Sequence, residues 1–314
     1  MTGDPVVVVG GPTASGKSAL ALAIAEEFGG VVINADSMQV YRELAILTAR
    51  PRGPELDRVP HRLYGLLGAG ERCSAGHWRT LAEAEIRTAT AEGRLPVLAG
   101  GTGLYLRALM SGLHDLPDVP AEVRERLNAR VAAEGAPALH AELAARDPET
   151  AARLRPGDSQ RIVRALEILD HTGRGLAAWQ AASQAEGAAG LRFLTILQAP
   201  PRDALYATCD GRFARMLEEG AEEEVARFLE IPGAADGPLA KAVGVGPIRS
   251  YLAGEIDRAR MIELGTRDTR RYAKRQLTWF RHQFVSNLTI ETKFSEIKMP
   301  EIFSFIRNFL LTRV

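Results

Sequence analysis

The segment Gly11-Pro12-Thr13-Ala14-Ser15-Gly16-Lys17-Ser18 has the spacing G-x-x-x-x-G-K-[ST]. Glycines at these positions let backbone N–H groups close around phosphate oxygens, and the N-terminus of a following helix adds favourable partial charge. Lys17 supplies a point charge, and the Ser18 hydroxyl is placed for Mg²⁺. The pattern predicts a polyphosphate site and leaves open whether the phosphate belongs to a nucleotide. A second candidate is Asp36, which follows the apolar run Val31 to Ala35. A carboxylate at a strand's C-terminal edge beside a phosphate loop lies where ligands bind in open α/β sheets. It could hold a metal, take a proton from a nucleophile, or cap the turn that follows. A third run, Leu95 to Ala99, ends in Gly100-Gly101-Thr102-Gly103 and lacks the acid that helps hold Mg²⁺ in P-loop NTPases.

These residues need a scaffold, and the first third of the chain supplies its pattern. Pro5 to Val9 is a short continuous apolar run, as expected of a strand buried on both faces. Leu20, Ile24 and Phe28 share a helical face, and Gly29-Gly30 ends that helix. With a helix over about 76–92, the order is βαβαβ, which predicts a parallel sheet flanked by helices. From about 117 to 189 the pattern is helical throughout: Val123, Leu127 and Val131 share one face, and Ile162, Leu166 and Leu169 another. Strand character returns at Leu191 to Leu197. The expected fold is an α/β P-loop core, residues 1–116 and 190–285, with an all-helical insertion at 117–189. Residues 286–314 are set apart as an atypical C-terminal tail, because no alanine follows Ala273 and no glycine follows Gly265.

Composition narrows the function. With 314 residues and 46% hydrophobic content, the chain can bury a large core. Formal net charge is zero, so a nucleic-acid surface must come from uneven placement of charge. Two places show it: Arg267 to His282, with six Arg or Lys, one acid and interleaved Tyr272, Trp279 and Phe280, and Gln160-Arg161-Ile162-Val163-Arg164. Trp279 and Phe280 taken singly read as core. Two separated cysteines and scattered histidines exclude a disulfide scaffold and a zinc module and suit a reducing compartment. No apolar run is long enough for a membrane span. The chain is expected to be a cytoplasmic monomer without an obligatory protein partner.

Taken together, GPTASGKS (11–18), DSMQVYR (36–42), GGTGLY (100–105), QRIVRALE (160–167), RFARM (212–216) and AKRQLTWFR (273–281) resemble the tRNA dimethylallyltransferases, also called isopentenyl-tRNA transferases. The resemblance covers about residues 5–285 and is of the bacterial type, without a C-terminal zinc finger. It implies a P-loop core with a helical insertion, and two substrates: dimethylallyl diphosphate and the adenosine 3′ of certain anticodons. By that resemblance Asp36 is the general base, Thr102 sits beside the reacting amine, and Ser37, Met38 and Gln39 floor the adenine pocket. Lys17, Ser18 and Arg212 bind the diphosphate and its Mg²⁺, and Arg124 with Gln160 to Arg164 contacts the tRNA. The chain departs from the family pattern at Leu47 to Pro51, at Val59-Pro60-His61-Arg62 and at Gly244 to Ile248. Three rivals remain at this level. A small-molecule P-loop kinase would use ATP and have Asp36 activate a hydroxyl. An RNA-binding module would have no use for a P-loop. A prenyltransferase acting on free AMP would not need the QRIVR element.

Overall fold

The computed structural model describes residues 3–183 and 185–312. They fall into two compact units, 1–110 with 188–314, and 111–187. The larger unit opens with β1 (Asp4–Gly10), α1 (Lys17–Glu27), β2 (Val31–Asn34), a short α2 (Pro54–Arg58), β3 (His61–Arg62), α3 (Ala75–Ala91), β4 (Pro96–Gly100) and α4 (Gly103–Met110). The helical unit holds α5 (Ala121–Glu134), α6 (Ala136–Arg146), α7 (Pro148–Ala152), α8 (Ser159–Thr172) and α9 (Leu176–Ala182). The chain then returns to the larger unit with β5 (Leu191–Gln198), α10 (Arg202–Glu218), α11 (Ala221–Leu229), α12 (Val245–Leu252), α13 (Arg258–Gln283), β6 (Leu288–Ile290) and α14 (Met299–Leu311).

The six strands form one sheet in the order β3-β2-β4-β1-β5-β6, and every pairing is parallel. The unbroken valine run of β1 follows from its central place. Val6 and Val8 enter one apolar core, Val7 and Val9 the core on the opposite face, and all four are fully buried. β2, β4 and β1 lie side by side, so Asp36, Thr102 and the phosphate loop emerge at the same edge.

Two elements depart from the sequence expectation. β3 is two residues long, too short to show a period, and forms because Val32 and Ile33 pair with His61 and Arg62. Residues 286–312 are part of the core unit, which corrects their reading as a tail apart from it. β6 pairs with β5, and the Asn287 side-chain oxygen accepts the Thr195 N–H at 2.8 Å. Ile302 and Ile306 of α14 are buried in the same core as α1, where Phe303 meets Phe28 edge-on at 5.8 Å. The composition of this segment is unusual, but its apolar residues stand one helical turn apart and cover the sheet beside α1.

Candidate active site

The phosphate loop leaves β1 and closes on α1. Gly16 has φ +93°, where an L side chain is strained, and a Cβ there would come within 2.7 Å of the Phe294 Cβ. Ala14 also takes a left-handed conformation, φ +64°, a local strain of the kind that gathers at ligand sites. Lys17 begins α1, is 9% exposed, and folds back so that its Nζ donates to the Pro12 carbonyl at 3.4 Å. Burial pushes its pKa down to about 8; Arg212 adds to that fall and Asp36 opposes it.

Asp36 stands at the head of a turn after β2. One carboxylate oxygen, Oδ1, accepts the Met38 N–H at 2.9 Å, so the capping reading is correct for that oxygen. The backbone beneath is pinned by Asn34, whose side chain accepts the Asp36 N–H at 2.8 Å and donates to the carbonyls of Asp36 and Leu63. Trp78 donates to the Asn34 carbonyl at 2.9 Å and stacks on Tyr105. Thr102 ties the glycine loop after β4 to the same turn: its Oγ1 accepts the Ser37 N–H at 2.9 Å and donates to the Ser37 hydroxyl at 3.2 Å. Gly100 makes this approach possible, since a Cβ there would run into the Ala35 carbonyl.

The strap joining these pieces is Gln276 of α13, which is 7% exposed. Its side-chain oxygen accepts the Thr13 N–H at 2.8 Å and its amide donates to the Gly101 carbonyl at 2.9 Å. Sequence reasoning quoted this residue within AKRQLTWFR and gave it no role, because its partners lie far away in the chain. Gln276→Ala is expected to cost about 1–3 kcal/mol by orphaning a buried N–H and a buried carbonyl. A urea melt unchanged from the parent protein would show the strap to be dispensable.

Two cavities meet at Arg212 and Met216, which line both. The larger, about 740 Å³, is walled by Gly16, Lys17 and Ser18 and by Arg50, Arg52, Arg212 and Arg215, with only Glu55 and Glu219 as acids. The smaller, about 140 Å³, holds Asp36, Met38, Leu47, Phe213, Tyr272 and Arg275. Among the described residues neither Lys17 nor Arg212 has an ion-pair partner within 4.0 Å. Burial lowers the Arg212 pKa, with Asp36 opposing. Burial and the Asp36 charge raise the phenol pKa of Tyr272. Desolvated cations without a carboxylate on them are poised for an anion from outside the chain.

A divalent ion fits this donor set in one way. Among the described residues no group of three or more His, Cys, Asp or Glu could cage a metal. The exposed Ser18 hydroxyl faces the larger cavity, and Mg²⁺ is commonly held by one or two protein oxygens together with substrate phosphates and water.

Other site residues fall as follows. Met38 lines the smaller cavity, whereas the Gln39 side chain donates to the Thr48 and Ala49 carbonyls at 2.8 and 3.0 Å and so supports the floor from behind. Phe280 is fully buried and Trp279 packs against the same core, as expected of them singly. In the helical unit, Gln160 and Arg161 are exposed at the start of α8. Ile162 and Val163 correct the expectation that they touch RNA: they are 0% and 6% exposed and belong to that unit's core, because α8 is amphipathic and they lie on its apolar face. Arg124 and Arg164 both engage the buried Glu167, at 2.6 and 3.2 Å, leaving one net positive charge among the three. The altered turn Gly244 to Ile248 opens α12 with Val245 and Ile248 buried.

Among the described residues, no helix is long and apolar enough to cross a membrane. The family model for IPP transferase matches residues 39–283, and one for isopentenyl transferase matches residues 5–70. A tRNA dimethylallyltransferase of Rhodospirillum centenum is 55% identical over 282 residues, 90% of each chain. That of Paramagnetospirillum magneticum is 47% identical over 311 residues, 99% of this chain and 98% of the relative. Among solved structures, a tRNA isopentenylpyrophosphate transferase of Bacillus halodurans is 34% identical with a TM-score of 0.67, covering 97% of this chain and 96% of its own. A eukaryotic dimethylallyltransferase acting on tRNA shares the fold, with a TM-score of 0.81 at 24% identity over 99% of this chain and 80% of its own. On sequence and on fold alike, the chain belongs to the IPP transferase family.

Proposed function

We propose that the protein transfers the dimethylallyl group of dimethylallyl diphosphate to the exocyclic N6 of the adenosine 3′ of a tRNA anticodon. The observation that carries this reading is the meeting of a buried Lys17 and a half-buried Arg212, neither with an ion-pair partner among the described residues, with Asp36 where the two cavities join. The phosphate loop, Lys17 and Arg212 cradle the diphosphate. N6 attacks C1 of the dimethylallyl group, the C1–O bond breaks, and its electrons leave with the diphosphate. The amine proton passes to Asp36 through the oxygen that does not cap Met38. The adenine lone pair is delocalised into the ring, so a positioned carboxylate is needed to make N6 an adequate nucleophile. The cations stabilise charge where it develops on the leaving group. Ser18 would hold Mg²⁺ together with the substrate phosphates, and the ion would supply charge neutralisation on the diphosphate. Thr102 orients the turn that presents Asp36.

The target base leaves its stack to enter the smaller cavity, at a cost of a few kcal/mol that is least for an unpaired base. RNA contacts are assigned to exposed Gln160 and Arg161, to Arg124 and Arg164, and to the basic face of α13. The free thiols Cys73 and Cys209 suit the reducing cytoplasm, where tRNA is modified.

The test is a transfer assay with Mg²⁺, radiolabelled dimethylallyl diphosphate and unmodified tRNA, with AMP and ATP as parallel acceptors. Label is expected in tRNA alone. Label in the free nucleotides would overturn the acceptor, and no label anywhere would overturn the reaction.

A further inference from the structure

The two cavities are divided by one turn of chain, residues 45–50. Ile46, Ala49 and Arg50 face the larger cavity, while Leu47 and Thr48 face the smaller. The turn is closed by its own backbone, with Ala49 N–H donating to the Ile46 carbonyl at 2.9 Å and Arg50 N–H to the Ala45 carbonyl at 3.0 Å. Gln39 holds its far end through the Thr48 and Ala49 carbonyls. Its near end is held from α11. The two oxygens of Glu224 accept the N–H groups of Ile46 and Leu47 at 2.8 and 2.9 Å.

Glu224 is 6% exposed, and among the described residues no Lys, Arg or His lies within ion-pair distance of it. Burying a carboxylate is costly, and a hydroxyl or amide oxygen would cap one of these amides more cheaply. A carboxylate sets a separate oxygen on each of the two amides, which fixes the turn in position and in rotation. A turn fixed this way sets the wall behind each reactant.

We propose that Glu224 is a positioning residue for the transfer step, holding the 45–50 turn as the partition that aligns the dimethylallyl carbon with the attacking nitrogen. The proposal rests on the reading of the two cavities as donor and acceptor chambers. Its mark is a loss of turnover without a matching loss of binding, because reacting groups displaced by about 1 Å lose on the order of 10²-fold in rate while staying bound.

The test compares Glu224→Gln and Glu224→Ala with the parent protein. The glutamine keeps the shape but sets its NH₂ against one of the two N–H groups. In Glu224→Gln, kcat in the transfer assay is expected to fall roughly 10–100-fold. The Kd values for inorganic diphosphate and for unmodified tRNA are expected to stay within about threefold. Without any substrate, exchange of the Ile46 and Leu47 amide hydrogens is expected to rise about tenfold, with α11 still protected. Glu224→Ala is expected to exceed these effects; if it does not fold, the near-isosteric glutamine variant decides. Unchanged exchange at both amides would overturn the proposal, as would parental kcat beside fast exchange, or a Kd loss that accounts for the whole kinetic defect. A parent protein that transfers no label would bring down the assigned reaction and, with it, the alignment role. The exchange result would still decide whether Glu224 holds the turn.

Discussion

Asp36→Ala is expected to lower turnover by about 10²–10⁴-fold, the range for loss of a positioned general base. The affinity for tRNA should stay near that of the parent protein. The separation follows from the site. The carboxylate does two jobs: Oδ1 caps the Met38 N–H, and the other oxygen is left for the acceptor's proton. The turn keeps its other supports, the Asn34 side chain and the Thr102 hydroxyl, when the carboxylate goes. Asp36→Asn sharpens the test, because its side-chain oxygen can still cap Met38 while the group no longer takes a proton. Both variants should be slow, and the asparagine variant should keep parental stability. Near-normal turnover with a large loss of tRNA binding would remove Asp36 from the role of base.

Lys17→Met is expected to cut kcat/KM for dimethylallyl diphosphate by roughly 10²–10³-fold, as loss of a preorganised donor to a developing anion does. It should also make the free protein more stable. A lysine whose pKa falls from 10.5 unfolded to about 8 folded is a charge the fold holds at a cost. At 1.36 kcal/mol per unit that cost is on the order of 3 kcal/mol. The full cost applies below about pH 8, where both states carry the proton. Between about pH 8 and 10.5 the unfolded chain binds more protons, so stability rises with pH. Chemical denaturation of the parent protein across that window should show the rise, and Lys17→Met should flatten it. Saturating inorganic diphosphate should flatten it too, by restoring a counter-charge, and diphosphate affinity should weaken as pH climbs past 8. A parent protein with the same pH slope as Lys17→Met would show that Lys17 is not desolvated.

The sequence by itself determined what is written in short-range pattern. The valine run of β1, the glycine-rich loop with Lys17, the carboxylate after β2 and the amphipathic helices of the insertion each declare themselves within a few residues, because strand and helix periods and turn chemistry are local. The same locality explains what was misread. Ile162 and Val163 stand inside a basic motif but on the apolar face of their helix, and their burial outweighs their neighbours' charge. Residues 286–312 look foreign in composition, yet they add an edge strand and a covering helix, because the surface they cover belongs to β5 and α1. Only the tertiary structure decided how the site is held in place. Gln276 reaches the phosphate loop across 263 residues, and Glu224 reaches the dividing turn across 178. A contact between one buried side chain and a distant backbone amide leaves no period, spacing or composition to read. It exists only once the sheet has brought β2, β4 and β1 to one edge, with the later helices packed over them.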